Sequence, residues 1–268
     1  MLKTASSARP LIVTIYGAFG RSMGGWLAVA DLVGLLAELG VDGQAARSAI
    51  ARLKQSGHLA REVHSDRAGY SATPALLDIL RDGDDRLFNS SSAADVRDGW
   101  VVVAFSVPES QRQQRHLLRT RLAALGCGPL GPGVWIGPRR VEGDLRRMLE
   151  SLALQQYVSL FGGDYLGFSK LSELVAAAWD VRPLYRHFQK FVTKYQRPTT
   201  RAVMVPERAF VAYVALLEQW RHLVYQDPGL PDAFTPYADL RRRAAELFAT
   251  RRAELAHRAE AHVKAIVR

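Results

Sequence analysis

Cysteine is nearly missing from this chain. Cys127 is the only one among 268 residues, which excludes an internal disulfide and any cysteine-built metal cluster. No apolar run approaches the roughly 20 residues that a membrane helix needs. The opening stretch, MLKTASSAR, lacks the apolar core of a secretory signal. The expectation is a cytoplasmic protein with no membrane partner. Catalytic signatures are missing too. There is no phosphate-binding glycine loop, no H-E-x-x-H and no nucleophile–histidine–carboxylate spacing of known type. The seven histidines are scattered and read as surface or interface residues rather than ligands. No catalytic residue, metal ligand or cofactor is therefore assigned. Negative charge is also short: 36 Lys and Arg stand against 26 Asp and Glu, a formal net charge of +10. That balance favours polyanionic partners, whether nucleic acid, an anionic membrane surface or phosphorylated ligands.

What the chain does hold is apolar material. Hydrophobic residues make up 48%, enough for real cores, and the length suggests two or three compact units.

Residues 41–56, VDGQAARSAIARLKQS, organise the rest. Asp42 is a good N-cap, because its carboxylate can accept from the free N–H groups of a first helical turn. Ala46, Ile50 and Leu53 recur at helical spacing as a thin apolar stripe. Gln44, Arg47, Ser48, Ala51, Arg52, Lys54 and Gln55 fall mostly elsewhere, and no carboxylate stands among them. A helix that enters the DNA major groove needs this combination. Arginine can read guanine bidentately, glutamine can read adenine, and small residues allow close approach. An ordinary amphipathic helix with a solvated basic face has the same look when taken alone.

Its neighbours favour the first reading. Residues 10–17 predict a helix, although their β-branched richness also fits a strand. Gly24-Gly25 breaks the chain, residues 26–39 predict a second helix, and Gly40 stops it. Residues 58–64 and 70–73 predict two strands around a glycine-containing turn at 65–69, forming a wing. Arg61 and Arg67 place positive charge there, suited to phosphates. Residues 74–80 predict another helix. The run reads as a winged helix-turn-helix DNA-binding domain over residues 1–88.

Residues 83–97 look like a polar linker. Beyond them, a strand at 100–107, a helix at 109–125 with Leu117, Leu118, Leu122 and Leu125 inward, a short strand at 134–136, a helix at 141–152 and a closing strand at 156–161 suggest the order β-α-β-β-α-β. That is the ferredoxin-like arrangement, placed at residues 89–166. It also hosts nucleases, so a metal-dependent nucleic-acid-processing enzyme stands as the alternative. Such cleavage needs carboxylates at strand ends, and the first strand leaves through Phe105-Ser106-Val107-Pro108 without one. Residues 167–268 read as a helical domain, broken near Arg182-Pro183 and by the rigid turn Asp227-Pro228-Gly229-Leu230-Pro231. The fold class is α+β. The arginines of the last long helix (Arg241, Arg242, Arg243, Arg251, Arg252) read as a solvated face; a second anion-binding surface is the other reading.

Four stretches carry a family resemblance: SARPLIVTIYG, AARSAIARLKQSGHL, WDVRPLYRHFQKF and DPGLP. Together they resemble the PaaX family of transcriptional repressors, over nearly the whole chain. The resemblance implies an N-terminal winged helix, a Cas2-like central domain and a helical C-terminal domain. It implies a homodimer on double-stranded operator DNA that represses an aromatic-acid catabolic operon. It also implies release by a small-molecule inducer, an aryl-CoA thioester such as phenylacetyl-CoA. That ligand needs cations for its phosphates and an aromatic-lined pocket for its acyl group. Two regions offer both: Trp135 with Arg139 and Arg140, and Trp179 with Tyr185, Arg186, His187 and Lys190. Either tryptophan could equally be a core aromatic.

Overall fold

The computed structural model describes residues 8–89, 95–197 and 205–267. Most of the opening stretch and the middle of the linker, residues 1–7 and 90–94, lie outside them. The chain packs as two units. One holds the described parts of Met1–Phe88, Tyr195–Arg221 and Glu246–Arg268; the other holds those of Asn89–Lys194 and His222–Ala245.

In the first unit α1 spans Ala8–Ile15 and continues as a π-helical turn, Tyr16–Gly20. Leu11, Ile12 and Ile15 are buried at helical spacing, so residues 10–17 begin as helix and not as strand. Gly24 and Gly25 both take positive φ, 82° and 80°. They turn the chain so that Trp26–Ala28 forms a strand, β1, against residues 69–71. The helix expected over 26–39 therefore starts later: α2 spans Val29–Glu38. Trp26, Leu27 and Ala28 are drawn into the sheet because an open strand edge lies beside them.

α3, Gly43–Gln55, follows a short turn and buries Ala46, Ala49, Ile50 and Leu53. Strands β2 (Leu59–His64) and β3 (Arg67–Ala72) form a hairpin, and the sheet order is β1-β3-β2. The hairpin turn is shorter than expected. Ser65 and Asp66 alone make it, at φ 46° and 62°, and His64 pairs with Arg67. Two left-handed residues give the turn whose twist matches the strands. Gly69 thus lies inside β3, where an added Cβ would sit 2.4 Å from the Trp26 ring. α4, Pro74–Asp84, runs on into a π-helical turn, Asp85–Asn89, so the linker begins later than the polar composition suggests.

The second unit holds a four-stranded antiparallel sheet, β4 (Trp100–Phe105), β5 (Gly128–Gly131), β6 (Val134–Pro138) and β7 (Val158–Gly163). Their order is β5-β6-β4-β7. α5 (Arg112–Ala124) follows β4 and α6 (Glu142–Ser151) follows β6, which reproduces the expected β-α-β-β-α-β succession. Leu118 and Leu122 are buried under the sheet with Val101, Val103, Trp135 and Leu145. Leu117 was expected inward but is 36% exposed, because one position along a helix rotates a side chain by about 100°. The opposite sheet face, with Trp100, Val102 and Ile136, is covered by α7 (Leu171–Ala178) and by Leu230 and Phe234.

The remaining helices are α8 (Arg182–Tyr195), α9 (Pro206–Gln226) and α10 (Ala238–Ile266). Phe210 and Val214 of α9 and Ala259 and Val263 of α10 belong to the same core cluster as Ile12, Leu36 and Ile50. The arginines of α10 are not uniformly solvated. Arg241 is buried and pairs with Asp227 (3.4 Å) and Asp232, while donating to the Leu230 carbonyl. Arg251 is buried too, donating to the Tyr195 carbonyl (2.9 Å) and pairing with Glu254 (2.7 Å). Backbone carbonyls offered by a turn and by a helix end draw these two guanidiniums inward. Arg242 stays on the surface.

Candidate nucleic-acid interface

α3 begins as its sequence dictates. The Asp42 carboxylate accepts from the backbone N–H groups of Gln44 (3.0 Å) and Ala45 (2.9 Å). Such a cap stabilises a helix by about 1 kcal/mol, and it fixes where the helix points. Four inward residues hold α3 to the core. Gln44, Arg47, Ser48, Ala51, Arg52, Lys54 and Gln55 are all exposed. Arg47 and Arg52 donate only to carbonyls of their own helix, Gly43 and Ser48, at 3.3 Å each. Neither these two nor Lys54 forms an ion pair with a described residue, so their charge is available to an outside anion.

The hairpin beside α3 is less uniformly basic than its arginines suggest. Arg61 lies across from Tyr70 in the pairing register and is exposed. Arg67 instead donates to the Asp31 carboxylate on α2 at 2.5 Å. Glu62 accepts from Ser71 (2.6 Å) and lies 3.1 Å from the His64 ring. That ring stacks on Trp26 with centroids 4.6 Å apart. Asp31, Trp26 and His64 were not expected to matter. No periodicity could have found them, since they meet only once β1 joins the sheet. Behind the hairpin, the Tyr16 hydroxyl donates to the Tyr70 carbonyl at 2.7 Å, and burial pushes its pKa well above the usual phenol value.

The residues expected to hold a ligand all lie in the second unit, and they do not converge. Trp135 is buried on the α5 and α6 side of the sheet. Trp179 packs on the other side, 6.1 Å from the Trp100 ring, and its indole donates to the Gly126 carbonyl at 3.0 Å. Arg139 pairs with Glu142 at 2.7 Å, and Arg140 donates to the Pro228 carbonyl at 3.4 Å. On α8, Tyr185, Arg186 and Lys190 are exposed, while His187 contacts Gln226 at 2.9 Å. Among the described residues no group of three or more His, Cys, Asp or Glu could hold a metal ion. No helix among them is long and apolar enough to cross a membrane.

Three family descriptions match the chain in order. Residues 7–75 match the PaaX-like protein, residues 93–175 the PaaX protein central Cas2-like domain, and residues 179–265 the PaaX-like protein C-terminal domain. The Transcriptional repressor PaaX of Escherichia coli (strain K12) is 23% identical over 239 residues, which cover 86% of this chain and 74% of that protein. Among solved structures, the uncharacterized protein Rv0674 from Mycobacterium tuberculosis has a similar fold. Its TM-score is 0.56 at 21% identity, over 94% of this chain and 97% of that one.

Proposed function

The chain belongs to the PaaX family, and on that premise we propose that it is a sequence-specific DNA-binding transcriptional repressor. One observation carries the reading: α3 presents an exposed, carboxylate-free face of Gln44, Arg47, Ser48, Arg52 and Lys54, none of its cations held by an ion pair with a described residue. In this reading the first unit is a winged helix-turn-helix. α3 enters the major groove, where Arg47 and Arg52 reach base edges. Arg61 meets phosphate from the hairpin, and Arg67 does so from a position set by Asp31. The second unit's sheet is the ferredoxin-like, Cas2-like centre.

One recognition helix buries too little surface for tight operator binding, so the repressor acts as a homodimer on paired half-sites. The E. coli relative's name supports the repressor role, and the family resemblance implies an aromatic-acid catabolic operon as the target. The inducer that releases DNA belongs to the aryl-CoA thioesters, and the protein works in the cytoplasm. The candidate ligand residues stay as two separate groups, Trp135 with Arg139 and Arg140, and Trp179 with Tyr185, Arg186, His187 and Lys190. Trp135 and Trp179 contribute from opposite faces of one sheet.

The test is selection of binding sites from a random duplex library by the purified full chain, with Mg²⁺ present. A two-fold symmetric consensus, bound as a dimer by light scattering and left uncut, is the expected result. Recovery of no consensus, or cleavage of the duplex, overturns the reading. Release of the selected duplex by phenylacetyl-CoA and not by phenylacetate tests the inducer.

A further inference from the structure

The second unit holds a cleft of about 550 Å³ at the end of its sheet, where α5 passes the β5–β6 hairpin. That volume lies within the range of small-molecule sites, roughly 300–1,000 Å³. Its apolar lining comes from Phe105, Val107, Pro129, Pro132 and Trp135. Trp135 is 7% exposed, so the core holds its ring and only a small part of it meets the cleft. Two arginines stand over these walls, Arg115 and Arg119, one turn apart on α5.

The two arginines are not equivalent. Arg115 is fixed, donating to the Val107 carbonyl (2.7 Å) and to Glu109 (2.8 Å). That pairing offsets part of its charge. Arg119 forms no ion pair with any described residue, and α5 itself contains no carboxylate. The cleft therefore joins a free guanidinium to a wall of flat apolar surface. A guanidinium matches the two oxygens of a carboxylate or phosphate with two parallel hydrogen bonds. Charge of that sign beside aromatic and proline surface disfavours cations and rewards an anion more than a neutral acceptor.

We propose that this cleft binds a small organic anion with a flat apolar body, its anionic group on Arg119 and its body against Trp135. The anionic end is a carboxylate or a phosphate. The proposal is independent of the DNA-binding reading but shares Trp135 with the inducer reading; its probes carry no CoA, so its failure and that of the inducer reading are told apart.

The experiment is calorimetry on the full chain with three probes of one shape: 1-naphthoate, 1-naphthyl phosphate and the uncharged 1-naphthalenemethanol. At least one anion is expected to bind ten times or more tighter than the alcohol, and the tighter of the two assigns the anionic end. Arg119→Gln is expected to weaken that anion at least tenfold and to leave the alcohol unchanged. Gly131 lines the cleft, and an added Cβ there meets nothing within 4 Å. Gly131→Leu is expected to fill the space and remove all binding without lowering Tm. Equal affinity for anions and alcohol overturns the proposal. So does anion binding that survives both substitutions, or no binding at millimolar probe.

Discussion

Arg67 and Asp31 form a pair that joins the hairpin to α2: a guanidinium nitrogen stands 2.5 Å from a carboxylate whose side chain is 9% exposed. The arginine is itself 38% exposed. One side of this pair is thus anchored in the first unit, while the other keeps a wet edge. Asp31→Asn removes the charge and keeps the shape. It is expected to cost about 1–3 kcal/mol, below the cost of breaking a fully buried pair because water screens Arg67. Urea unfolding measures it. A double-mutant cycle with Arg67→Gln should recover most of the loss as coupling between the two positions.

Arg47 and Arg61 should separate base reading from phosphate contact. Arg47→Ala is expected to weaken the selected duplex by about 1–3 kcal/mol and to change nonspecific DNA far less. Arg61→Ala should weaken both alike and lower the salt slope by about one. Fluorescence anisotropy across a salt series reads both. Wild-type affinity in Arg47→Ala would remove α3 as the reading helix.

Gly69 is expected to tolerate nothing larger. A Cβ there would meet the Trp26 ring at 2.4 Å and the Leu27 carbonyl at 2.6 Å. Gly69→Ala must push β1 off β3, with an overpacking cost of about 1–3 kcal/mol. The readout is a lower Tm together with a change in Trp26 fluorescence.

Arg241 and Arg242 are sequence neighbours with opposite fates. Arg241 is held by Asp227 and Asp232 at 8% side-chain exposure, and Arg242 is 62% exposed. Arg241→Ala leaves a buried carboxylate without its partner and should cost about 3–5 kcal/mol. Arg242→Ala should stay within about 0.5 kcal/mol of wild type. Denaturant midpoints compare them.

Cys127 should be inert while the protein is folded. It is buried, and burial pushes its thiol up to about 12. The reactive thiolate is then scarce at neutral and mildly alkaline pH. Iodoacetamide at pH 8 should label it only in denaturant, as mass spectrometry will show. A raised thiol also favours the fold below the ordinary thiol range. That contribution falls away as pH climbs from about 8.5 toward 12.

Most helices were legible because each carries its own punctuation. Asp42 opens α3, Gly40 stops α2, and the turn at Asp227-Pro228-Gly229 closes α9, so local chemistry sufficed. β1 was not legible. Trp26-Leu27-Ala28 is three residues long, and nothing local distinguishes it from the start of α2. Its partner, residues 69–71, lies some forty positions away. The inward turn of Arg241 and Arg251 was hidden for the same reason, since distant backbone carbonyls draw them in. The exposed face of α3 was readable from spacing, whereas the cleft at Arg119 and Trp135 required knowing that α5 passes the β5–β6 hairpin.

The core of the first unit includes Phe210, Val214, Ala259 and Val263 beside Ile12, Leu36 and Ile50. Side chains from the far end of the chain thus complete the body that presents α3. Such a module has no cassette ends. A gene fragment covering only the N-terminal third would lack part of its own interior. Recombination could not pass this module to another protein by a single exchange. On the proposed reading of α3, new operator specificity would arise by substitution on its outward face, with the rest of the chain inherited as one piece.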